Sequence, residues 1–393
     1  ITKRFEALDA LRGVALLAIT FRHFLTRYNY VGSVYSSNDV LMQLDKLVEF
    51  VDYHIFFGKA YSIFALLFGF SLFLQRSSKS YTGSHRYIAS RLIVLLLFSI
   101  INSLFFPGGD ILSLYAIAGV LILPVMNLSS KWLLLLACIF LFQPLEWIEI
   151  IVALINNGDG VLLPSSAALH QQITHVIATG SVVENLWTNV TTGQLSSLVW
   201  SLQTGLFTQT IGLMLFGFYL GKSCWLQRII SEGMNALSYT YIPLFISIIL
   251  FGVDYLIIRD SFIELKMHVI LSNWINLCIA LLYILLFVSI YQKIVARYMP
   301  SIKAYGRMSL TNYLLQSVVG GFLFAPFGLD LARTLSATSI VVVFLLLVTG
   351  QIIFSNRWFI KHKYGPCEYY WRRCALALSN LKPSGSVQHN RNY

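Results

Sequence analysis

The sequence predicts an all-α integral membrane protein of about ten transmembrane helices, with its N- and C-termini in the cytoplasm. Three observations predict this class. The 393 residues are 57% hydrophobic and 11% charged, whereas about a quarter of the residues of a soluble domain are charged. Ten apolar segments approach the length of roughly 20 residues that crosses the hydrocarbon layer. The basic residues between these segments are distributed as in a multi-pass membrane protein.

The ten apolar segments follow one another without a sequence repeat that relates the two halves of the chain. We predict one polytopic membrane domain over residues 1–380, with a C-terminal signature at about 220–380. The polar residues 381–393 are predicted to form a disordered tail. The predicted spans are residues 10–26, 55–75, 88–106, 111–126, 132–155, 197–220, 237–258, 269–291, 308–327 and 335–354.

The net charge of +11 does not indicate a nucleic-acid partner, because its distribution follows the membrane. If the N-terminus is cytoplasmic, 21 of the 28 Lys and Arg residues lie on the inner side and five on the outer side. This is the positive-inside pattern. The expected partner is therefore membrane lipid, and the expected location is the cell membrane, specifically the plasma membrane of a bacterium, as a multi-pass protein.

Two long outer loops each contain a predicted helix. Residues 39–51 carry an apolar stripe behind a candidate N-cap, Asn38, which predicts an amphipathic helix at the outer interface. Residues 166–179 are predicted to be helical because a structureless loop of this length is uncommon. His170 and His175 are five positions apart, whereas two ligands on one helix face are four apart, so no metal site is predicted.

The first span carries ionisable residues inside an apolar segment. Asp9 and Arg12 stand at its start, and Arg22 and His23 near its end. At about 100° per residue, the interval from Arg12 to His23 is three turns plus about 20°, so both side chains leave one face, roughly 16 Å apart. Ionisable residues in a membrane segment indicate a functional site. We therefore predict that Arg12 and His23 face one protein-lined cavity.

Two other spans also contain ionisable residues. Lys59 lies about one turn inside the second span, where it either snorkels to the headgroups or contacts an anion or substrate. In the fifth span Pro144 should kink the helix, and Glu146 and Glu149 share one face. Glu146 is predicted at about the depth of His23, where a carboxylate needs a partner or a neutral form.

The ninth span begins with a polar stripe. Ser309, Asn312 and Gln316 fall on one helix face at positions i, i+3 and i+7. Lipid cannot satisfy amide groups, so this face is predicted to contact protein or a cavity. Hydrogen bonding between helices is the alternative role.

Several motifs resemble those of YeiB-like membrane proteins. That family is grouped with transmembrane acyltransferases, which include the acyltransferase-3 enzymes and the lysosomal heparan glucosaminide acetyltransferase. The resemblance implies a roughly ten-helix fold that takes an acyl group from cytoplasmic acyl-CoA. The group, expected to be acetyl, is transferred to a hydroxyl or amine of an extracytoplasmic acceptor such as a glycan or lipid. The motifs are LDALRGVALL, FFGKAYSIFALLFGF, GRMSLTNYLLQS, GPCEYYWR and the residues Gln351, Ser355 and Trp358.

The acyltransferase-3 enzymes carry an Arg followed, after ten residues, by a His, and Arg12 and His23 match this spacing. Many YeiB-like sequences have Asn at the position of His23. Acyl transfer needs a base that removes the acceptor's proton, and a neutral imidazole can act as this base near pH 7. His23 is the candidate base or acyl carrier, and Glu146 its candidate orienting partner.

The candidate donor-binding residues lie closer to the cytoplasm. Arg12 would hold a phosphate of acyl-CoA, and Asp9, about one turn earlier, would fix the guanidinium. Asn312 and Gln316 would line the donor channel or donate hydrogen bonds to the oxyanion. The remaining candidates are Lys59 and Ser309, and no metal is expected.

Two other functions use the same residues. A transporter or flippase would line a substrate path with them and change no bond. A receptor-like sensor would bind the donor without turnover. The sequence leaves these alternatives open.

Overall fold

The computed structural model describes residues 6–28, 30, 34–78, 80–157, 165–225 and 236–381. The described residues are all-helical, with 83% of them in helices and none in a strand. The predicted disordered tail, apart from residue 381, lies outside the described residues.

The first half of the chain forms eleven α-helices over the described residues. They are α1 Glu6–Arg22, α2 Asp39–Val51, α3 Lys59–Arg76, α4 His85–Ser103, α5 Ile111–Ile122, α6 Ser130–Leu141, α7 Pro144–Ile155, α8 Ser166–Thr179, α9 Val182–Thr188, α10 Gln194–Gln203 and α11 Leu206–Lys222.

Seven more α-helices follow within residues 236–381. They are α12 Tyr241–Tyr255, α13 Phe262–Ile290, α14 Ala296–Tyr298, α15 Pro300–Arg307, α16 Ser309–Phe324, α17 Ala337–Lys361 and α18 Pro366–Ser379. Short π-helical turns occupy His23–Arg27, Asp52–Phe56, Asn189–Gly193 and Tyr291–Val295. Short 3-10 turns occupy Tyr81–Gly83, Leu123–Val125, Ala236–Tyr239 and Leu331–Arg333.

Each of the ten apolar segments coincides with helix, but fewer helices are long enough to cross a membrane. Over the described residues, five helical stretches are long and apolar enough, or six if the bent pair α6 and α7 forms one span. The difference arises because α1, α5, α11 and α16 are only 17, 12, 17 and 16 residues long. The chain is therefore a helical multi-pass membrane protein with a span count below the predicted ten by this measure.

Two of the predicted spans are broken near their middle. The kink predicted at Pro144 is present, since α6 and α7 meet there at 42° and Gln143 adopts a left-handed φ of 62°. The segment that contains α10 and α11 is interrupted at Gly205, whose φ of 69° favours glycine. These breaks bring polar groups at the helix ends into the interior of the bundle.

Both helices predicted in the outer loops are present. Asn38 caps α2, because its side chain accepts hydrogen bonds from the backbone N–H groups of Val40 and Leu41. The apolar side chains of Leu41 and Leu44 on α2 are exposed, as an interfacial helix requires. Helix α8 covers residues 166–179, the range predicted from the sequence.

The core of the bundle depends on close approach between α3 and α11. A Cβ on Gly69 would lie 1.9 Å from Met214 O, and a Cβ on Gly217 would lie 1.9 Å from Leu66 O. These distances are far below any van der Waals contact, so each backbone lies directly against the other at a glycine. Small residues at such crossings are a common means of packing membrane helices.

A Gly217→Ala substitution is expected to lower the free energy of unfolding by about 1–3 kcal/mol, because the added methyl overpacks the crossing. The matched control is Gly350→Ala on α17, where a Cβ meets no atom within 4 Å. Thermal unfolding of both variants in detergent, followed by tryptophan fluorescence, measures the difference. Equal melting temperatures for the two variants would contradict this account of the crossing.

The two ends of the bundle are named here by residues of α1. The Arg12 end contains the starts of α1, α4 and α16, the ends of α3 and α17, and helix α18. The Arg22 end contains the end of α1, the start of α3 and the turn after α2. Helix α1 packs against α3 and α15. It therefore connects the two ends through the centre of the protein.

Candidate functional site

A cavity of about 510 Å³ opens at the Arg12 end of the bundle. Helices α1, α3, α4, α16 and α18 form its walls. Its volume is in the range of small-molecule sites, which measure about 300–1,000 Å³. Its cationic lining residues are Arg12, Arg91, Arg307, Lys363 and Arg372.

Arg12 is held in a fixed position at the wall of this cavity. Its Nη1 donates to Asp9 Oδ1 at 2.9 Å, and its Nη2 donates to Ser71 Oγ at 2.5 Å. Asp9 is buried, and the Arg12 side chain retains about a fifth of its exposure. The contact predicted between Asp9 and Arg12 is therefore confirmed. The guanidinium is fixed while part of it still faces the cavity.

Aromatic rings support three of the other cavity cations. Arg91 stacks at 3.8 Å on the ring of Trp371, and its Nη1 donates to Gln75 Oε1 at 2.6 Å. Such stacking covers the face of a guanidinium and leaves its N–H edge available for hydrogen bonds. Two further pairs have the same geometry, Arg307 on Phe359 at 3.9 Å and Arg372 on Tyr364 at 4.4 Å.

Glu368 of α18 caps the N-terminus of α16 at the edge of the cavity. Its carboxylate accepts from the backbone N–H groups of Leu310 at 2.8 Å and Thr311 at 3.2 Å, and from the Thr311 hydroxyl at 2.6 Å. Burial raises the pKa of this carboxyl, against the lowering effect of these hydrogen bonds. Five cations and two carboxylates, Asp9 and Glu368, therefore line the cavity, whose formal charge is +3.

Tyr313 of α16 lies where the cavity approaches the middle of the bundle. Its hydroxyl donates to Asp110 Oδ1 at 2.6 Å. Asp110 is fully buried and also accepts from Asn102 Nδ2 at 3.0 Å and from the backbone N–H of Leu112 at 3.1 Å. The Tyr313 ring is thus held in place by a buried carboxylate whose two oxygens also accept hydrogen bonds from other groups.

His23 is a neighbour of the Tyr313 ring. The two ring centroids are 5.9 Å apart, and the imidazole also meets the edge of Phe106 at 4.7 Å. His23 begins the π-helical turn that extends α1 toward the Arg22 end. It is not among the residues that line the cavity. The predicted common cavity is therefore corrected, because Arg12 and Tyr313 line the cavity whereas His23 contacts Tyr313 without lining it.

Gln316 is the hydrogen-bond partner of His23. Its Nε2 lies 3.2 Å from His23 Nδ1. In this orientation Gln316 donates, and a neutral imidazole carries its hydrogen on Nε2. A half-turn of the amide places Oε1 at Nδ1, where it accepts a hydrogen and leaves Nε2 with a free lone pair. Gln316 therefore determines which nitrogen of His23 can accept a proton.

Glu146 does not contact His23, so the expected pairing of these residues is corrected. Glu146 is buried near the break between α6 and α7, where its Oε2 accepts from the Thr208 hydroxyl at 3.2 Å. The neighbouring Glu149 forms an ion pair with Lys266, whose Nζ donates to Gln203 O at 3.0 Å. These hydrogen bonds and this ion pair provide partners for polar groups at the ends of the broken helices. Similar depth in the membrane did not place Glu146 on the same side of the bundle as His23.

The other predicted site residues are divided among three places. Ser309 lines the cavity. Asn312 instead donates to Ser355 Oγ at 3.0 Å and to Tyr305 O at 3.2 Å, which is the interhelical role weighed as its alternative. Lys59 lies at the start of α3, at the Arg22 end, and not in the donor cavity expected for it.

Both halves of the chain match known protein families. Residues 4–153 match the family described as Heparan-alpha-glucosaminide N-acetyltransferase, catalytic. Residues 220–377 match the family described as Protein of unknown function (DUF418). The first match contains Arg12, His23 and Arg91, and the second contains Gln316 and Glu368.

Three bacterial proteins without an assigned function are similar over most of their length. YxaH of Bacillus subtilis (strain 168) is 25% identical, covering 94% of each chain. An uncharacterized 39.9 kDa protein from Bacillus acidopullulyticus is 25% identical over 94% of this chain and 93% of its own. YeiB of Escherichia coli (strain K12) is 27% identical over 81% of this chain and 82% of its own. No solved structure matches the chain.

Proposed function

We propose that this chain, which belongs to the YeiB-like family of membrane proteins related to heparan glucosaminide acetyltransferase, is a membrane acyltransferase. It would take an acyl group, expected to be acetyl, from acyl-CoA in the cytoplasm. It would transfer that group to a hydroxyl or amine of an acceptor on the outer side. The acceptor is a glycan or a lipid in this proposal.

One observation carries the proposal. A cavity with a formal charge of +3 is lined in part by the Tyr313 ring, and the imidazole of His23 contacts that ring at a centroid distance of 5.9 Å. Acyl-CoA combines several phosphate charges with a long, narrow arm that ends in the thioester. A charged cavity that leads toward a proton acceptor fits both parts of such a donor. The Arg12 and His23 pair also falls within the residues that match an acetyltransferase catalytic family.

Arginine is the residue best suited to the phosphate end of the donor. Its planar fork forms two parallel hydrogen bonds with a phosphate and keeps its charge at every working pH. Arg12 and Arg91 are both held by neighbours that leave part of the guanidinium toward the cavity. We assign these two residues, with Arg372, to the donor phosphates, and Ser309 to a hydrogen bond at the same end.

The proposed orientation puts the Arg12 end in the cytoplasm. The ten helical segments then serve as ten crossings, with the short and broken ones completed by neighbouring turns. This orientation agrees with the excess of Lys and Arg in the loops at that end. It also puts the donor cavity where acyl-CoA is available. The predicted location is the plasma membrane of a bacterium.

The proposed reaction balances with His23 as the base. The acceptor hydroxyl gives its proton to His23 Nε2 while its oxygen bonds to the acyl carbonyl carbon. The carbon–sulfur bond then breaks, and the leaving thiolate takes the proton from the imidazolium. Thioester and alcohol become ester and thiol, with no change in oxidation state. Gln316 must accept from Nδ1 during this step, because only that orientation leaves Nε2 free.

The route from cavity to imidazole requires movement of Tyr313. Its ring lines the cavity and contacts the His23 ring, and its hydroxyl is held by Asp110 at 2.6 Å. We propose that the acyl end of the donor displaces this ring when it reaches His23. Tyr313 would then keep water out of the path when no donor is bound.

A second histidine is associated with a carboxylate, but its geometry is unsuitable for nucleophilic catalysis. His268 Nδ1 lies 2.5 Å from Asp254 Oδ1. Ser272 Oγ is 3.5 Å from Nδ1 and 3.4 Å from Nε2 of the same ring. Nearly equal distances put the hydroxyl over the ring and not along the in-plane lone pair that proton transfer needs. Ser272 is therefore not placed as a nucleophile that His268 could activate.

A Gln316→Leu substitution is expected to lower kcat by about 10–100-fold while leaving the KM for acyl-CoA unchanged. The physical reason is that His23 loses the partner that fixes its tautomer. Gln316→Glu, which can only accept from Nδ1–H when ionised, should retain more activity than the leucine variant. Steady-state kinetics over a range of pH measures both variants. Equal activity of Leu and Glu variants would contradict the tautomer role.

Purified protein in nanodiscs tests the proposed function directly. Acetyl-CoA is supplied with a panel of glucose, glucosamine, glucuronate and glycerol phosphate, and free CoA is followed with a thiol reagent. We expect CoA release that depends on the acceptor, with the acetylated acceptor identified by mass spectrometry. In proteoliposomes, passage of an unmodified panel member without CoA release would instead identify a transporter. Binding of acetyl-CoA without turnover for any acceptor would contradict the enzyme proposal.

A further inference from the structure

A second group of charged side chains lies at the Arg22 end, apart from the donor cavity. Arg22 is the last residue of α1, Asp52 begins the turn after α2, and Lys59 is the first residue of α3. Arg22 Nη1 forms an ion pair with Asp52 Oδ2, and its guanidinium lies 4.2 Å above the ring of Phe57. Three separate elements therefore bring these charges together. We call these three residues the outer cluster.

The outer cluster contains both a donor and an acceptor that lack partners. Lys59 is buried, with 7% of its surface exposed, and over the described residues its ammonium has no hydrogen bond or ion pair. Asp52 Oδ1 is likewise buried with no hydrogen-bond partner in the described chain. A buried carboxylate oxygen without a hydrogen bond costs free energy. Native proteins leave such atoms unsatisfied mainly where water, an ion or a ligand completes them.

The chemistry of the unpaired atoms indicates what would complete them. Lys59 offers three N–H donors, and Arg22 offers the donors that Asp52 does not occupy. Asp52 Oδ1 needs a donor, which a ligand hydroxyl supplies. The outer cluster carries a formal charge of +1, so it favours a ligand with an anionic group. A molecule with both a carboxylate or phosphate and neighbouring hydroxyls satisfies every unpaired atom.

The outer cluster is adjacent to the proposed base. His23 follows Arg22 in the chain, and the charges of Arg22 and Arg27 both act on its imidazole. His23 is partly exposed as a residue, and it does not line the donor cavity. A ligand held by Arg22 and Lys59 would therefore approach His23 from outside the donor cavity.

We infer that Arg22, Asp52 and Lys59 form the subsite that selects the acceptor, and that the acceptor is an acidic, hydroxylated molecule. Its anionic group binds Lys59 and Arg22, one hydroxyl donates to Asp52 Oδ1, and another hydroxyl or an amine faces His23. The identification of this ligand as an acceptor rests on the proposed function. The binding chemistry itself does not depend on acyl transfer.

Binding measurements on purified protein in nanodiscs test this inference. The probes are glucuronate, which carries a carboxylate, glycerol 1-phosphate, which carries a phosphate, and glucose, which is neutral. We expect at least one acidic probe to bind about tenfold or more tightly than glucose. The better acidic probe identifies whether a carboxylate or a phosphate is preferred. Equal dissociation constants for glucose and both acidic probes would overturn the inference.

Variants of Lys59 test whether this residue is responsible for the preference for acidic probes. Lys59→Met keeps the buried stem and removes the charge, so the preference for the acidic probe should fall about tenfold. Lys59→Arg keeps the charge and should keep the preference. The matched control is Arg259→Gln, a half-exposed basic residue after α12, which should bind like the parent protein. An unchanged preference in a folded Lys59→Met protein would overturn the inference.

Acetyl-CoA binding, measured on the same samples, separates the two proposals. Lys59→Met should bind acetyl-CoA like the parent protein, because Lys59 does not line the donor cavity. Loss of acidic-probe preference with normal acetyl-CoA binding supports the subsite. Failure of the parent protein to bind acetyl-CoA counts against the proposed function alone. The outer cluster would then remain an anion-binding site on the evidence of the acidic probes.

Discussion

Replacement of His23 by Gln is expected to lower kcat for acyl transfer by about 10²–10⁴-fold, the usual contribution of a general base. The glutamine side chain fills a similar space and can still hydrogen-bond Gln316, so the fold should be retained. Its amide cannot take a proton at neutral pH. The KM for acyl-CoA should change little, because His23 lies outside the cavity that contains the cations.

The matched control is His175→Gln, which changes an exposed histidine on α8. Initial rates of CoA release, measured with each variant at saturating donor and acceptor, give the comparison. Size-exclusion profiles and melting temperatures establish that both variants fold. A folded His23→Gln protein that transfers acyl groups at the parent rate would reject His23 as the base. It would leave the donor cavity assignment to be tested separately.

Local contacts were predictable from the sequence because they depend on helical spacing alone. Asp9 and Arg12 are three residues apart, and they meet as that spacing requires. Asn38 precedes an apolar periodicity and caps α2 as an N-cap asparagine should. In both cases the chain between the partners is a single helical turn. No knowledge of the packing between helices was needed.

The partners of His23 were not predictable on the same basis. Gln316 is 293 positions away along the chain, and its contact depends on how α16 packs beside α1. Depth along a helix suggested Glu146 instead, but depth leaves the direction around the bundle undetermined. The break at Gln143 and Pro144 turns Glu146 toward Thr208. The polar stripe on α16 was the sequence signal that pointed to Gln316.

The cations of the donor cavity show the same limitation. Arg12 was identified within its own helix, whereas Arg91, Arg307 and Arg372 looked like ordinary basic residues of inner loops. Their shared feature is an aromatic partner distant in sequence, such as Trp371 for Arg91. In the C-terminal motif GPCEYYWR, Arg372 directly follows Trp371, and this was the one local indication of such pairing. Several pairs of basic and aromatic residues that converge at one membrane boundary therefore indicate a cavity lined by cations.

An Arg12→Gln substitution is expected to weaken acyl-CoA binding by about 10–100-fold. A hydrogen bond to a charged group contributes about 1.5–3 kcal/mol, and each 1.4 kcal/mol is about tenfold in the dissociation constant. Glutamine can still hydrogen-bond Ser71 and Asp9, so the local structure should survive. The rate at saturating donor should fall far less than in the His23 variant, because Arg12 binds the end of the donor remote from the thioester.

Acetyl-pantetheine provides the decisive comparison, because it carries the same thioester without phosphates. If Arg12 binds phosphate, Arg12→Gln and the parent protein should use acetyl-pantetheine equally well, although both use it poorly. The matched protein control is Arg86→Gln, an exposed arginine at the same end of α4 that does not line the cavity. Arg86→Gln should bind acyl-CoA like the parent protein. If Arg12→Gln weakens acetyl-CoA and acetyl-pantetheine by the same factor, Arg12 acts on the structure of the site and not on the donor phosphates.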